Sequence, residues 1–247
     1  MNRDLFIFVP AYSVERELGA LLQSIPGEVL LRTREILIVD DGSSDGTGKI
    51  AEDFSQGEIR TRVRIERFEK NEGYGAVVKC GISRALALSE SDGVKFAVCL
   101  HGDGQYPAKA VLRMLPILET SRADVVQGSR LAEKGGARSG KMPFYKFLGG
   151  KFLTWVENFA FTNKLTDRHS GLIAYRVDFL KTLNLSNLSN SFDIDLEILS
   201  IADAKKFGLA EIPIETRYGN EKSNLYVIPY GFRVLRISLL RLWGRYG

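Results

Sequence analysis

The sequence predicts an α/β protein organised around a mostly parallel sheet, and three observations predict it. Short strand-like segments at Leu5–Val9, Glu35–Val39, Val63–Phe68 and Phe96–Leu100 alternate with helix-like stretches. The run Phe96–Leu100 is continuous rather than alternating, as befits a strand covered on both faces. The second and fourth run straight into acidic, glycine-containing turns, Asp40–Thr47 and His101–Gln105. In open α/β sheets ligands bind at such carboxyl ends.

Composition narrows the class. The 247 residues are 45% hydrophobic and 26% charged, ordinary for a soluble globular chain with ample length for a core. A formal net charge of +4 does not point to nucleic acid, but it suits a phosphorylated ligand or an anionic membrane surface. Cys80 and Cys99 make neither a metal pattern nor a disulfide framework. Met1–Asp4 leads straight into the first apolar run, and no stretch of about 18 apolar residues occurs. A cytoplasmic protein is expected.

The elements follow in order. Leu5–Val9 is the first strand; Pro10 ends it and Ala11–Tyr12–Ser13 turns at its carboxyl end. Val14, Leu18, Leu21 and Leu22 space a helix over Val14–Ser24, broken by Pro26–Gly27. Glu35–Val39 is the second strand, and a helix from Thr47 to about Phe54 follows its acidic turn. That turn lacks both GxGxxG and a P-loop lysine. Its carboxylates repel phosphate but suit base N–H groups or ribose hydroxyls. Helix capping by Ser44 or Asp45 is the plainer use. Val63–Phe68 is the third strand, followed by Asn71–Gly75 and a helix over Ala76–Leu88. Gly73 and Gly75 there suit either an anion at the helix start or tight packing.

Phe96–Leu100 is the fourth strand. Beyond it His101, Asp103 and Gln105 alternate with Gly102 and Gly104, so an extended backbone projects all three side chains to one side. An imidazole beside oxygen donors makes a divalent-metal site, with a polar loop capped by Asp103 as the competing reading. Pro107 opens a helix over Ala108–Thr120. Asp124–Gln127 is a fifth strand, ended by Gly128–Ser129–Arg130. Lys134–Gly150 is glycine-rich and basic and reads as a lid-like loop into a helix over Tyr145–Phe161. In the polar turn Thr166–Gly171, His169 is more readily structural than catalytic. Asp195 and Glu197 stand near a helix start, Ala210–Thr216 is a late strand, and Arg217–Ser223 is a basic loop. Over Tyr230–Tyr246 the arginines 233, 236, 241 and 245 interleave with Phe232, Leu235, Leu239, Leu242 and Trp243. This amphipathic helix fits an anionic bilayer, or a core-packed helix with a solvated basic face.

Together, Val9–Pro10–Ala11–Tyr12, Ile38–Thr47, His101–Gly102–Asp103–Gly104–Gln105 and Gly128–Ser129–Arg130 resemble family 2 glycosyltransferases of the GT-A fold. Asp195–Leu196–Glu197 and Arg217–Tyr218–Gly219 resemble the polyprenyl-phosphate sugar synthase branch, including dolichyl-phosphate mannose synthases. The resemblance covers residues 5–225. It implies one GT-A domain over 1–225 and a basic amphipathic segment over 226–247. It further implies that Pro10, Ala11, Tyr12, Val39 and Asp41 hold the nucleoside, with Glu15, Gly73 and Gly102 beside the donor. Asp103 would bind Mg2+ or Mn2+, with His101 and Gln105 as further ligands. Arg130 would lie near the donor, and Arg217 and Lys222 would neutralise its phosphates. Two positions depart from the family pattern: His101 stands where aspartate is usual, and Val14 where many members have glutamate, Glu15 being one place later.

The implied reaction is inverting transfer from a UDP- or GDP-sugar, peripherally on the inner face of the membrane and in cell-envelope glycan synthesis. A polyprenyl phosphate acceptor is already anionic at neutral pH and needs no base. A saccharide hydroxyl needs one, and Asp195, Glu197 and Asp167 are the candidates. The basic loops favour the lipid phosphate. A sugar nucleotidyltransferase lacks its lysine-containing loop here, and a non-catalytic nucleotide-sugar-binding protein is the remaining alternative.

Overall fold

Seven strands form one sheet: β1 (Leu5–Ala11), β2 (Thr33–Asp40), β3 (Arg62–Arg67), β4 (Phe96–Cys99), β5 (Val125–Ser129), β6 (Ile173–Arg176) and β7 (Leu209–Pro213). Their order is β3-β2-β1-β4-β6-β5-β7. The computed structural model describes residues 3–57, 62–132, 144–215 and 227–246. Lys134–Lys141 of the lid-like loop, and Arg217 and Lys222 with the basic loop around them, lie outside the described residues.

All pairings are parallel except those of β6, which runs antiparallel to both β4 and β5. β6, which the sequence reading does not include among the strands, stands between β4 and β5. Ile173, Ala174 and Tyr175 are fully buried there, so the strand is short and apolar on both faces.

The helices are α1 (Leu18–Gln23), α2 (Gly27–Arg32), α3 (Thr47–Gln56), α4 (Tyr74–Asp92), α5 (Val111–Glu119), α6 (Phe144–Ala160), α7 (Val177–Leu180), α8 (Ile194–Ala204) and α9 (Val227–Leu242). The pleat of β1 divides the core. Leu5, Ile7 and Val9 face a cluster with α1, α3 and α5, while Phe6 and Phe8 face one with α4 and α8. Gly81 lets α4 lie flat on β1, because a Cβ there would sit 2.4 Å from the Phe8 ring. Outside these layers, α6, α8 and α9 share a smaller cluster of Ala160, Phe161, Leu196, Val234 and Ile237.

α9 is fastened through its arginines. Arg233 pairs with Asp193 at 3.1 Å, and Arg241 with Asp203 at 2.7 Å. These two cations therefore serve the protein's own carboxylates. The outward residues of α9 include Phe232, Leu239 and Leu242, with Trp243 just beyond its end. Among the described residues no helix is long and apolar enough to cross a membrane.

Strand order reverses between the neighbours β1 and β4, since the strand that follows β1, β2, lies on one flank of the pair and the strand that follows β4, β5, on the other. The carboxyl ends of β1, β2 and β4 open together at this switch point.

Candidate active site

The first wall of the crevice is made where the turns after β1 and β2 are laced together. Ala11 accepts a hydrogen bond from Asp41 N at 2.9 Å, continuing the strand ladder past its end. Ser13 N donates to Ser43 Oγ and Val14 N to Thr47 Oγ1, each at 2.9 Å. Glu15 accepts from Gly46 N at 2.8 Å. Ser13 has φ +54°, a strained setting for a residue with a Cβ that the surrounding bonds hold in place. Tyr12 is left 42% exposed at the crevice mouth, with Pro10 half-buried behind it.

Several residues expected on the donor are tied into this scaffold. Val39 is fully buried in the β1–α4 core cluster, so its side chain does not reach the crevice. Asp41 accepts from Glu72 N at 2.7 Å and Gly73 N at 3.1 Å. Burial raises its pKa, although those two bonds oppose the rise. The Gly73 N–H expected to favour an anion is therefore taken by Asp41, and that of Gly75 by the Asn190 carbonyl at 2.9 Å. Gly73, at φ +96°, would place a Cβ 2.4 Å from that same carbonyl oxygen, so packing requires its glycine. Gly102 is likewise a packing glycine. Its N–H donates to Pro10 O at 2.8 Å, and a Cβ would meet that oxygen at 2.8 Å.

The segment after β4 divides its three polar residues. His101 turns inward: Nε2 lies 3.0 Å from the Tyr74 hydroxyl, and Tyr74 donates to Asp195 Oδ2 at 2.8 Å. A neutral His101 carrying its proton on Nε2 completes the chain from imidazole to phenol to carboxylate. Burial lowers the His101 pKa, opposed by Asp103. The ring packs edge-on against Tyr106 and fills the space where a Gly171 side chain would stand. His101 Nε2 is thus committed to Tyr74 rather than to a shared ligand set. Asp103 stays part-exposed, and Oδ1 accepts from Gln105 N at 3.0 Å in a tight turn helped by Gly104 at φ +66°. Oδ2 carries no hydrogen bond among the described residues.

As a cation site this donor set is sparse. Among the described residues no group of three His, Cys, Asp or Glu side chains could hold a metal. Among the described residues the crevice offers one hard carboxylate oxygen, on Asp103, with Gln105 two residues on. It fits a divalent ion that takes its other ligands from a bound diphosphate and water, the habit of Mg2+.

The far wall is the 165–171 turn. Gly171 N donates to Tyr106 Oη at 3.1 Å, and Gln127 Nε2 to Ser170 O at 2.6 Å. Arg130 is gripped by Asp167 through Nε at 2.6 Å, a second guanidinium nitrogen at 2.9 Å and its backbone N at 3.2 Å. Burial alone raises Asp167, but the Arg130 guanidinium outweighs it and the carboxyl falls to about 2. So acidic a group is no base, which removes one of the three candidates. His169 faces away from the crevice, with Nδ1 2.9 Å from the Tyr230 hydroxyl and Nε2 3.4 Å from buried Glu157.

The other two candidates differ. Glu197 accepts from Ser189 N at 2.7 Å and so holds the loop that covers the start of α4. Asp195 is 8% exposed; among the described residues it is bonded only through Oδ2, and Oδ1 is buried without a partner. Burial lifts its pKa to about 7 against the Tyr74 hydrogen bond. Tyr74, which joins β4 to α8, was not singled out from the sequence. A tyrosine at a helix start carries no spacing signal, and its partners lie 27 and 121 residues away.

The sequence profile of glycosyl transferase family 2 matches residues 6–183. The UDP-N-acetylglucosamine–dolichyl-phosphate N-acetylglucosaminyltransferase of Methanococcus voltae is 28% identical over 228 residues, 88% of this chain and 87% of that one. The polyprenol monophosphomannose synthase of Mycolicibacterium smegmatis is 29% identical over 182 residues, 72% of this chain and 65% of that one. In structure, glucosyl-3-phosphoglycerate synthase of Mycobacterium tuberculosis, crystallised with Mn2+, UDP and glucosyl-3-phosphoglycerate, superposes with a TM-score of 0.64. It does so over 97% of this chain and 80% of that one at 17% identity, a likeness of GT-A fold.

Proposed function

This chain belongs to glycosyl transferase family 2, and on that footing we propose that it transfers a sugar, with inversion, from a nucleotide-diphosphate sugar to a polyprenyl phosphate. The observation that carries the reading is Asp103. It is a part-exposed carboxylate at the β1–β4 switch point, with Oδ2 unoccupied by any hydrogen bond among the described residues. The named relatives that act on dolichyl phosphate and polyprenol support the acceptor class.

In this reading Tyr12 and the laced turns after β1 and β2 form the nucleoside end of the crevice. Asp103 marks the diphosphate end. Mg2+ or Mn2+ on Asp103 would supply Lewis acidity toward the leaving diphosphate. Arg217 and Lys222 add cations from the late loop. An anionic oxygen of the lipid phosphate attacks the anomeric carbon as the bond to the donor diphosphate breaks, and the displaced electron pair leaves on the diphosphate. No proton need be removed, which suits a site where Asp167 is held by Arg130 and Glu197 by Ser189. Residues 1–225 act as the transferase domain, and 226–247 keep it peripherally on the cytoplasmic face of a membrane.

A second reading has an observation of its own. Asp195, with its pKa at about 7, is matched to take a proton from a saccharide hydroxyl. The test is transfer by purified protein from UDP- and GDP-sugars to polyprenyl phosphate in detergent, with and without manganese, beside Asp195→Asn and Glu197→Gln. Manganese-dependent transfer to the lipid that survives both substitutions, at least in part, supports the proposal. Transfer only to a soluble saccharide, abolished by Asp195→Asn, replaces it with the second reading.

A further inference from the structure

α6 and α9 invert the usual pattern of a surface helix. Among the described side chains, each turns polar and small residues inward with its core residues and leaves large apolar ones in water. On α6, Leu148, Phe152, Trp155 and Phe159 follow one another at steps of four, three and four residues, which is one line along the helix. Trp155 is 70% exposed and Phe159 81%. The opposite face buries Thr154 and Glu157. On α9 and its end, Phe232, Leu239 and Trp243 form a second line at steps of seven and four; Phe232 is 70% exposed and Trp243 75%. The two helices pack on each other through the Ala160–Val234–Ile237 cluster.

Phe159, Trp155, Phe232 and Trp243 alone leave on the order of 600 Å2 of apolar surface in water, at about 200 Å2 per side chain. That matches the largest patches found on whole monomers, which mark interaction sites. Charge selects the partner. Lys151, Arg236 and Arg245 are exposed along the same helices, whereas the one carboxylate on α6 or α9, Glu157, is fully buried. A second copy would oppose like charges, and an anionic lipid surface would not. Indole and phenyl rings with interspersed cations are what the headgroup boundary of a bilayer accepts.

We propose that α6 and α9 together form one docking platform for an anionic bilayer, with the α6 row Phe152–Trp155–Phe159 as its principal inserting edge. This rests on, and deepens, the proposal that the chain works peripherally at a membrane. It moves the contact from the tail arginines to the aromatic rows of two helices. Arg233 and Arg241 are the staples that hold α9 in place. The platform lies close to the crevice, since Tyr230 of α9 bonds His169 in the turn that carries Asp167.

The chain's two tryptophans, Trp155 and Trp243, are both on the platform, so intrinsic fluorescence reports it directly. Phosphatidylcholine vesicles containing phosphatidylglycerol are titrated into the 247-residue chain, with emission and co-sedimentation followed. The expected result is a blue shift, and a loss of vesicle partition of at least about tenfold in Phe152→Ser/Phe159→Ser, which keeps both tryptophans. Both positions are exposed, and an unchanged circular dichroism spectrum checks the fold. Unchanged emission on vesicle addition overturns the proposal. So does vesicle binding indifferent to the double substitution, or light scattering that shows a dimer dispersed by it. Transfer to polyprenyl phosphate in detergent is assayed beside it. Transfer without vesicle binding sinks the platform and spares the proposed activity, and binding without transfer does the reverse.

Discussion

Replacing Asp195 with asparagine should stabilise the protein at alkaline pH and leave it nearly unchanged in acid. Asp195 is 8% exposed, Oδ1 has no partner among the described residues, and burial raises its pKa from 3.8 to about 7. A carboxyl raised on folding favours the folded state's proton, so stability falls as pH climbs from the ordinary value to the raised one. Above about pH 7 the whole penalty is present. At 1.36 kcal/mol per pKa unit it amounts to about 4 kcal/mol, as an order of magnitude. Asparagine carries no charge and still accepts from the Tyr74 hydroxyl. The expected gain over wild type is therefore below about 1 kcal/mol at pH 4 and up to about 4 kcal/mol at pH 8. Urea unfolding of both proteins at the two pH values measures it, because every other titrating group cancels in the difference. A gain equal at both pH values, or a loss at both, would refute the reasoning about burial.

Asp103→Asn should abolish manganese-dependent nucleoside diphosphate binding and nearly all turnover while leaving thermal stability within about 0.5 kcal/mol, read by calorimetry and melting. Gly73→Ala should cost about 3 kcal/mol and lower Tm by roughly 6–12 °C, because its Cβ would sit 2.4 Å from the Asn190 carbonyl oxygen at φ +96°. Asp167→Asn should cost about 3 kcal/mol at neutral pH by removing the buried carboxylate that Arg130 pairs with. Since the Asp167 pKa is depressed to about 2, that deficit should shrink as pH falls from about 4 toward 2, in the same urea experiment.

The parts of the fold legible in the sequence are those made by local pattern. β1 to β4 each begin or end within a few residues of their apolar runs, and the acidic turns stand at strand ends as their position implies. β6 was not legible. Ile173–Arg176 is four residues long, follows a polar turn and could join any open edge; the partners that fix it, β4 and β5, lie far away in sequence. The site divides in the same way. Asp103 and Tyr12 stand at the crevice because backbone geometry puts them there. The commitments of Asp41 to the Glu72 and Gly73 amides, of His101 to Tyr74 and of Arg130 to Asp167 are tertiary contacts. Such contacts decide what a polar residue does, and no spacing rule encodes them. The outward turn of Trp155 and Phe159 was hidden for a related reason: an apolar stripe reads alike whether it meets a core or water.

The late arrival of β6 also orders events during synthesis. β1 to β4 pair only with one another until residue 173 exists, so the first half can assemble as it leaves the ribosome. β5 cannot join it. Its two neighbours are β6, which begins at residue 173, and β7, which begins at 209, while β5 itself ends at 129. At roughly 5–20 residues per second, β5 waits several seconds with both edges open, and β4 waits with one. Val125 and Val126 are then an unpaired apolar strand of the kind that recruits other chains. Slower translation between residues 129 and 173 should therefore lengthen an aggregation-prone interval, and a chaperone acting on the nascent chain would find its substrate there.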